Sequence, residues 1–499
     1  MKTSCVEENP APLTRAGDGI LEYLENGSDF IPDAAIEDSI LKHVDPDPAR
    51  VREILAKALE IRTLTPDETG LLLNVRDPQI WEEMARTAAQ VKTKVYDNRI
   101  VTFAPLYLSN HCVNDCLYCG FRRSNRSARR KRLDLDEVRS EVEVLAGKIG
   151  HKRLIVVYGE HPLSGLEYMQ ESIRAIYSVR TGTPRGTGTG QIRRVNVNAA
   201  PLSVDDLREL SGCGLGTFQV FQETYHRDTY AKMHPAGTPK ADFRWRLYAM
   251  HRALEAGIDD VGLGVLFGLA DWRFEVMGLV HHAHELERRF GIGPHTLSFP
   301  RLEPAQNAPF ALRPPNPVSD EDFRKIVIVL RLAVPYAGMI LTARESASMR
   351  RELIPLGVTQ TDASTRIGVG AYRRDPAAQE EERQQFMLGD TRSLDEVIRE
   401  LARTGLITSF CTAGYRCGRT GKCIMDLLRS GAEGKFCKLN AVLTFKEWID
   451  DFASDETRAA GEAVLAAEIG QIRERNPRVY ERFMESYRRV CAGERDVYF

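Results

Sequence analysis

From about residue 99 the chain keeps one rhythm, a short strand-like run followed by a longer amphipathic stretch, and repeats it eight times. The strand candidates are Ile100–Leu108, Arg153–Gly159, Arg194–Ala199, Thr217–Gln222, Val261–Phe267, Thr296–Arg301, Gly338–Thr342 and Ile367–Ala371. Between them run helical stretches such as Leu135–Ile149, Leu166–Tyr177, Asp242–Ala256, Trp272–Phe290, Asp320–Val334 and Ala347–Ile354. Strands that alternate with helices pair in parallel, because each helix carries the chain back to the starting edge. Eight such units predict an α/β fold, a (β/α)8 barrel of the TIM type, which does its chemistry at the carboxyl ends of its strands.

The flanks read differently. Residues 1–95 contain no convincing strand; Asp33–His43, Pro48–Ile61, Pro66–Val75 and Gln79–Tyr96 read as helices with Asp or Pro at or near their starts. They predict a helical arm packed on a barrel of residues 96–375. Residues 376–499 read as a C-terminal helical domain. It holds a helix Leu394–Thr404 ended by Gly405, a cysteine-rich stretch Ser409–Asn440, and helices at Phe445–Ala453 and Glu456–Asn476. Thr181–Gly190, TGTPRGTGTG, has the composition of a flexible surface insertion.

A chain of 499 residues at 43% hydrophobic content can bury a large core, and its formal charge of -2 gives no basic field for nucleic acid. No apolar run reaches the ~18 residues that a membrane span needs. The first residues, MKTSCVEENPAPL, lack the basic-then-apolar order of a signal peptide. Ten cysteines in such a chain argue for a reducing cytoplasm and metal ligation, not disulfides.

Directly after the first strand candidate comes HCVNDCLYCGFR, with Cys112, Cys116 and Cys119 in a C-x3-C-x2-C frame. Soft thiolate ligands this close together can converge on one iron–sulfur cluster. A [4Fe–4S] cube held by three thiolates leaves one iron open for a small chelating molecule. The alternatives are a zinc knuckle or three unconnected thiols. Zinc prefers four closed ligands, usually in paired C-x2-C units, and no fourth Cys or His completes that pattern here.

The longer strings CVNDCLYCGFRRSN, GHKRLIVVYGEHP, RRVNVNAAPL, GTFQVFQETYH, DDVGLGVLFGLADWRFEVMGL, GPHTLSFPRLEP and ITSFCTAGYRCGRTG carry a resemblance. Over roughly residues 95–450 the chain resembles the radical S-adenosylmethionine tyrosine lyases, namely the HydG family of [FeFe]-hydrogenase maturases and, more distantly, the ThiH family of 2-iminoacetate synthases. The resemblance implies a radical S-adenosylmethionine barrel with S-adenosylmethionine on the open iron. It implies cleavage of the tyrosine Cα–Cβ bond to dehydroglycine (2-iminoacetate) and p-cresol. An electron donor such as ferredoxin or flavodoxin, and a partner in metal-cofactor assembly, come with the same resemblance. Two rivals remain, a lyase for another aromatic amino acid such as tryptophan and a non-catalytic iron–sulfur carrier.

Site residues follow from the strand ends and the resemblance together. Tyr118 stands where these enzymes carry an aromatic residue beside the adenine. Tyr158, Gly159 and Glu160 end the second strand, where the resemblance places the cofactor's amino group and where glycine lets backbone approach a ligand closely. Glu223 closes the fourth strand and matches a ligand-facing carboxylate. Arg246 offers a fork that matches the cofactor carboxylate, with a plain surface charge beside Arg244 and Arg252 as the alternative. For the amino-acid carboxylate, Arg344 after the seventh strand is the first candidate and Arg301 after the sixth the second. Ser346 is an added hydrogen-bond partner, and each of these has a structural ion pair or cap as its alternative. The remaining histidines, His281 and His282 among them, read as helix surface.

The tail departs from the resemblance. The family's second cluster is held by a C-x2-C-x22-C pattern, which falls on Cys411, Gly414 and Cys437. Glycine has no ligand atom. Cys417 and Cys423 lie nearby, so four thiolates could form a closed cluster or zinc site, or the two could be unpaired loop thiols. His295, before the sixth strand, matches a histidine that ligates an extra iron beside that cluster. Cleavage of tyrosine needs the first cluster alone, so the sequence supports lyase chemistry more firmly than synthesis of CO and cyanide.

Overall fold

The computed structural model describes residues 19–42, 46–185, 188–374, 384–430 and 433–499. Eight parallel strands close on themselves: β1 Arg99–Ser109, β2 Arg153–Tyr158, β3 Arg194–Asn198, β4 Phe218–Gln219, β5 Val261–Gly264, β6 Thr296–Ser298, β7 Gly338–Leu341 and β8 Gln360–Asp362. Closure comes from β8 against β1, in the register Val101 to Gln360. A ninth strand, β9 Ile407–Ser409, adds to the outer side of β1 and ties the C-terminal helices to the barrel.

The eighth strand is not Ile367–Ala371 but the polar run Gln360–Asp362. Its side chains are buried because partners wait for them inside: the Ala343 N–H donates to Asp362 Oδ1 at 2.7 Å, the Thr365 hydroxyl donates to Asp362 Oδ2 at 2.7 Å, and Arg350 bonds Thr361. Ile367 and Val369 are buried in the loop that follows, so their apolar pattern marks core and not a strand. The expected Leu135–Ile149 helix changes pitch, running as α-helix over Leu135–Val142 and as a wider π-helix over Glu143–Ile149. Thr181–Gly182 pairs with Thr189–Gly190 as a small hairpin, so the two ends of that insertion are fixed strand.

The arm begins three helices the same way. Asp47–Pro48, Thr65–Pro66 and Asp77–Pro78 each put a capping oxygen before a proline in the first turn, where the missing N–H costs nothing. The expected end of the first helix, His43, lies outside the described residues. The arm packs on the helix Trp272–Phe290 through a ring cluster in which Phe30 lies 4.9 Å from His282. His282 is therefore buried, and its Nδ1 meets the Tyr225 hydroxyl at 2.8 Å. The sequence reading as surface fails because the arm covers that face; His281 beside it is partly exposed. The C-terminal helices are Glu433–Phe452, Asp455–Arg475 and a further one, Pro477–Cys491. Pro477 starts that last helix, in the first turn where its missing N–H costs nothing. At the amino end of the barrel, Glu447 accepts from buried Lys152 at 2.7 Å and from Arg193 at 3.0 Å.

Candidate active site at the carboxyl end of the barrel

Strand β1 delivers the cysteine loop to the top of the barrel, and side chains fix its shape. Asn110 accepts from the Lys131 N–H and donates to the Arg129 carbonyl. The Arg130 guanidinium donates to the carbonyls of Asn110 and Phe121, both at 2.7 Å, and so ties the two ends of the loop together. Asn114 is the second brace, donating to Glu160 Oε2 at 2.6 Å while accepting from the Lys240 N–H at 2.8 Å. Cys112, Cys116 and Cys119 all line one cavity of about 220 Å³. Burial raises all three thiols, Cys116 to about 11, so ligand binding there must displace protons. N–H groups already face two of the sulfurs: Asn114 Nδ2 lies 3.8 Å from Cys112, and the Phe121 N–H lies 3.4 Å from Cys119. Three thiols on one cavity wall with amides aimed at sulfur fit a thiolate-held cluster. Among the described residues, no three His, Cys, Asp or Glu side chains gather closely enough for a single metal ion.

The rest of the upper wall comes from β2 and β4. Gly159 is pressed against the loop, and a Cβ there would stand 2.2 Å from the His111 carbonyl oxygen. Glu160 reaches the cavity with its carboxylate held by Asn114. Glu223 is held at φ +72°, a costly backbone state for a glutamate, and its carboxylate pairs with Lys240 at 2.6 Å. Arg246 also lines the cavity, with one N–H on the Phe221 carbonyl at 2.8 Å and its Nε without a partner. It is 7% exposed, which removes the surface reading. Tyr118 lines the cavity with its hydroxyl on His234 Nε2 at 2.8 Å. Tyr158 also borders the cavity, while its hydroxyl meets Ser172 on the surrounding helix Leu166–Ser178 at 2.9 Å.

Across the cavity the structure separates the two arginine candidates. Arg344 lines the cavity with its guanidinium carbon 3.3 Å from the centre of the Phe386 ring. Its sole hydrogen bond among the described residues is a 3.5 Å contact to the Arg301 carbonyl. Burial lowers its pKa from the usual arginine value, and no carboxylate pairs with it at salt-bridge distance among the described residues. Arg301 is turned the other way, donating to Glu345 at 2.9 Å and to Asp320 at 2.7 Å. Its alternative as a structural ion pair is what the structure has. Ser346 is exposed and caps the helix Ala347–Leu356, accepting from the Met349 N–H at 3.3 Å.

The comparisons bear on this arrangement. The chain matches the Radical SAM superfamily over residues 106–277 and the Biotin and Thiamin Synthesis associated domain over residues 298–407. It is similar to the crystal structure of HydG, a maturase of the [FeFe]-hydrogenase, at 45% identity and a TM-score of 0.88, covering 95% of this chain and 100% of that one. HydG from Carboxydothermus hydrogenoformans follows at 37% identity and a TM-score of 0.76, over 90% of this chain and 98% of that one. The 2-iminoacetate synthase of Salmonella typhimurium is 32% identical over 352 residues, 70% of this chain and 88% of that protein. The chain belongs to the radical SAM tyrosine lyase family. The family implies a [4Fe–4S] cluster and S-adenosylmethionine, and the cysteine loop and its cavity fit both.

A second metal site is a different matter for this lyase. Cys411 follows β9 at φ +47°, while Cys417 and Cys423 are exposed and Cys437 is partly buried. His295 sits before β6 with its ring 6.4 Å from Tyr415 and its Nδ1 without a hydrogen-bond partner among the described residues. Tyr415 in turn lies under the Arg194 guanidinium. A Cβ at Gly414 would make ordinary contacts, with the Arg419 carbonyl oxygen at 3.9 Å and the Arg419 Cβ at 4.0 Å. Sequence reasoning missed Asn114, Lys240, Tyr107, Gln385 and Phe386 in the main cavity.

Proposed function

We propose that this protein cleaves the Cα–Cβ bond of L-tyrosine, giving dehydroglycine (2-iminoacetate) and p-cresol. The observation that carries the reading is Arg344, a cation with no carboxylate partner among the described residues, in the same cavity as the three thiols. A half-buried cation of this kind matches an amino-acid carboxylate better than any neutral group in the wall. When bound, the reduced cluster and S-adenosylmethionine supply a 5′-deoxyadenosyl radical that takes hydrogen from the substrate amino group. The protein's part is orientation and dryness. Arg246 and Glu160 are the candidates for the cofactor's carboxylate and ammonium, Glu223 for its ribose, and Tyr118 for its adenine. Leu266, Pro300, Leu302, Phe386 and Leu388 keep the far wall apolar, which keeps water from a radical.

The electron donor in this reading is a ferredoxin or flavodoxin. The likeness to the maturases extends the reading toward metal-cofactor assembly, but Gly414 removes one thiolate from the tail pattern. We therefore place the activity at the cleavage step. Anaerobic incubation with dithionite, S-adenosylmethionine and tyrosine tests it. 5′-Deoxyadenosine together with p-cresol supports the lyase. Deoxyadenosine without p-cresol points to another aromatic amino acid, and neither product points to an iron–sulfur carrier.

A further inference from the structure

A short strap, Gln384–Leu388, lies across the top of the barrel just before Gly389. It is fastened at both ends by backbone. The Gly120 N–H donates to the Gln385 carbonyl at 3.2 Å, and the Met387 N–H donates to the Pro304 carbonyl at 2.9 Å. The approach at Gly120 is close enough that a Cβ there would stand 2.8 Å from the Gln384 carbonyl oxygen and 2.9 Å from that of Gln385. The strap therefore sits directly on the residue after the last cysteine.

The Gln385 side chain points into the cavity between two groups. Its Oε1 accepts from the Tyr107 hydroxyl at 3.0 Å, and its Nε2 lies 3.6 Å from Cys119 Sγ. A neutral phenol beside a carboxamide donates to the oxygen, which leaves the NH2 for the sulfur. A thiolate that holds a cluster can only accept, so the NH2 end of the amide faces Cys119 and its oxygen takes the Tyr107 hydroxyl. The thiol also accepts from the Phe121 N–H, so Cys119 has two donors; Cys112 is met by Asn114 and by the Glu160 N–H, and Cys116 has none among the described residues. Hydrogen bonds to the sulfurs of a cluster disperse the negative charge that reduction adds, and so raise the reduction potential.

We propose that Gln385 is a positioning residue for the cluster, its amide held by Tyr107 so that it donates to the Cys119 sulfur and makes the cluster easier to reduce. This rests on the reading that Cys112, Cys116 and Cys119 hold a [4Fe–4S] cluster. No residue of the strap is a ligand in that reading, so the effect is on potential and not on assembly.

The test is an EPR-monitored redox titration of the anaerobically reconstituted full-length protein, with iron and sulfide measured on each sample. Gln385→Leu removes both bonds; its midpoint should move to more negative potential, with the fraction of reduced cluster at a fixed potential falling severalfold. Tyr107→Phe keeps the amide but frees it to turn, and should move the midpoint the same way by less. Gln385→Glu replaces the donor by a carboxylate and should move it furthest, which also keeps the test alive if the leucine variant folds poorly. Midpoints that coincide with the parent at equal iron content would overturn the proposal. A parent protein that shows no cube-type signal would instead overturn the cluster reading beneath it.

Discussion

Gly159→Ala tests the packing on which the candidate site depends. A Cβ at this position would stand 2.2 Å from the His111 carbonyl oxygen and 3.0 Å from its carbon, against an ordinary contact of 3.4 Å or more. Both are backbone atoms, so no side chain can swing aside. The end of β2 and the cysteine loop must part by roughly 1 Å. Overpacking of this kind costs roughly 1–3 kcal/mol of stability. Its larger consequence is positional, because His111 precedes the first cluster ligand. A displacement of about 1 Å at a reacting centre costs on the order of 100-fold in rate. The assay pairs a thermal melt with the rate of 5′-deoxyadenosine formation and the affinity for S-adenosylmethionine. The expected variant melts modestly lower and loses most of its turnover while retaining iron. A variant with parent-like melting, affinity and rate would show that the two backbones are not in close contact.

Three further predictions follow from buried groups. Burial pushes the Glu275 carboxyl up to about 8 from 4.5, where it accepts from the Thr224 hydroxyl and the Tyr225 N–H beside Glu223. A carboxyl whose folded pKa is raised binds its proton more tightly folded than unfolded. Stability is therefore whole below pH 4.5 and falls by roughly 1.4 kcal/mol per pH unit until about pH 8. Glu275→Gln should flatten that slope in denaturant titrations at pH 6 and pH 9, and an unchanged slope would contradict the assignment. Glu447→Gln leaves Lys152 buried without its counter-charge and Arg193 with Asp496 alone, and should cost roughly 3–5 kcal/mol in equilibrium unfolding; a loss below about 1 kcal/mol would show that water already screens the group. Gly414→Cys places a thiol where there is space for it and completes the C-x2-C-x22-C pattern with Cys411 and Cys437. Iron bound after reconstitution should rise, toward the four of a further cube, and an unchanged iron count would show that the tail cannot close on a cluster.

Much of this architecture is written in periodicity, and what is not has physical causes. The first seven strands stand out because apolar runs alternate with long amphipathic stretches. The eighth hides because Gln360, Thr361 and Asp362 are polar, and their partners, Ala343, Arg350 and Thr365, are known only once the barrel closes. The choice between Arg301 and Arg344 was legible in principle. Alternate residues of a strand face the same side. Ser298, Pro300 and Leu302 line the cavity, so Arg301 faces away; Ile340, Thr342 and Arg344 line it in turn. Tyr158 borders the cavity with its neighbours Val157 and Gly159, and its hydroxyl reaches Ser172 on the surrounding helix. Lys240 and Gln385 carry no such signal. Lys240 meets Glu223 only through the fold, and Gln385 sits at the end of a polar, aperiodic run. The surface reading of His282 failed because a helix face is polar or buried according to what lies on it, here the N-terminal arm.

Everything in the functional account depends on Cys112, Cys116 and Cys119 holding a cube with one iron free for S-adenosylmethionine. The most direct measurement is EPR and metal analysis of the anaerobically reconstituted, dithionite-reduced protein, before and after S-adenosylmethionine is added. The account predicts a [4Fe–4S] signal that changes on addition of the cofactor and is lost in a Cys112→Ala, Cys116→Ala, Cys119→Ala protein. Zinc in place of iron at these thiols, or a cube signal indifferent to the cofactor, would contradict it.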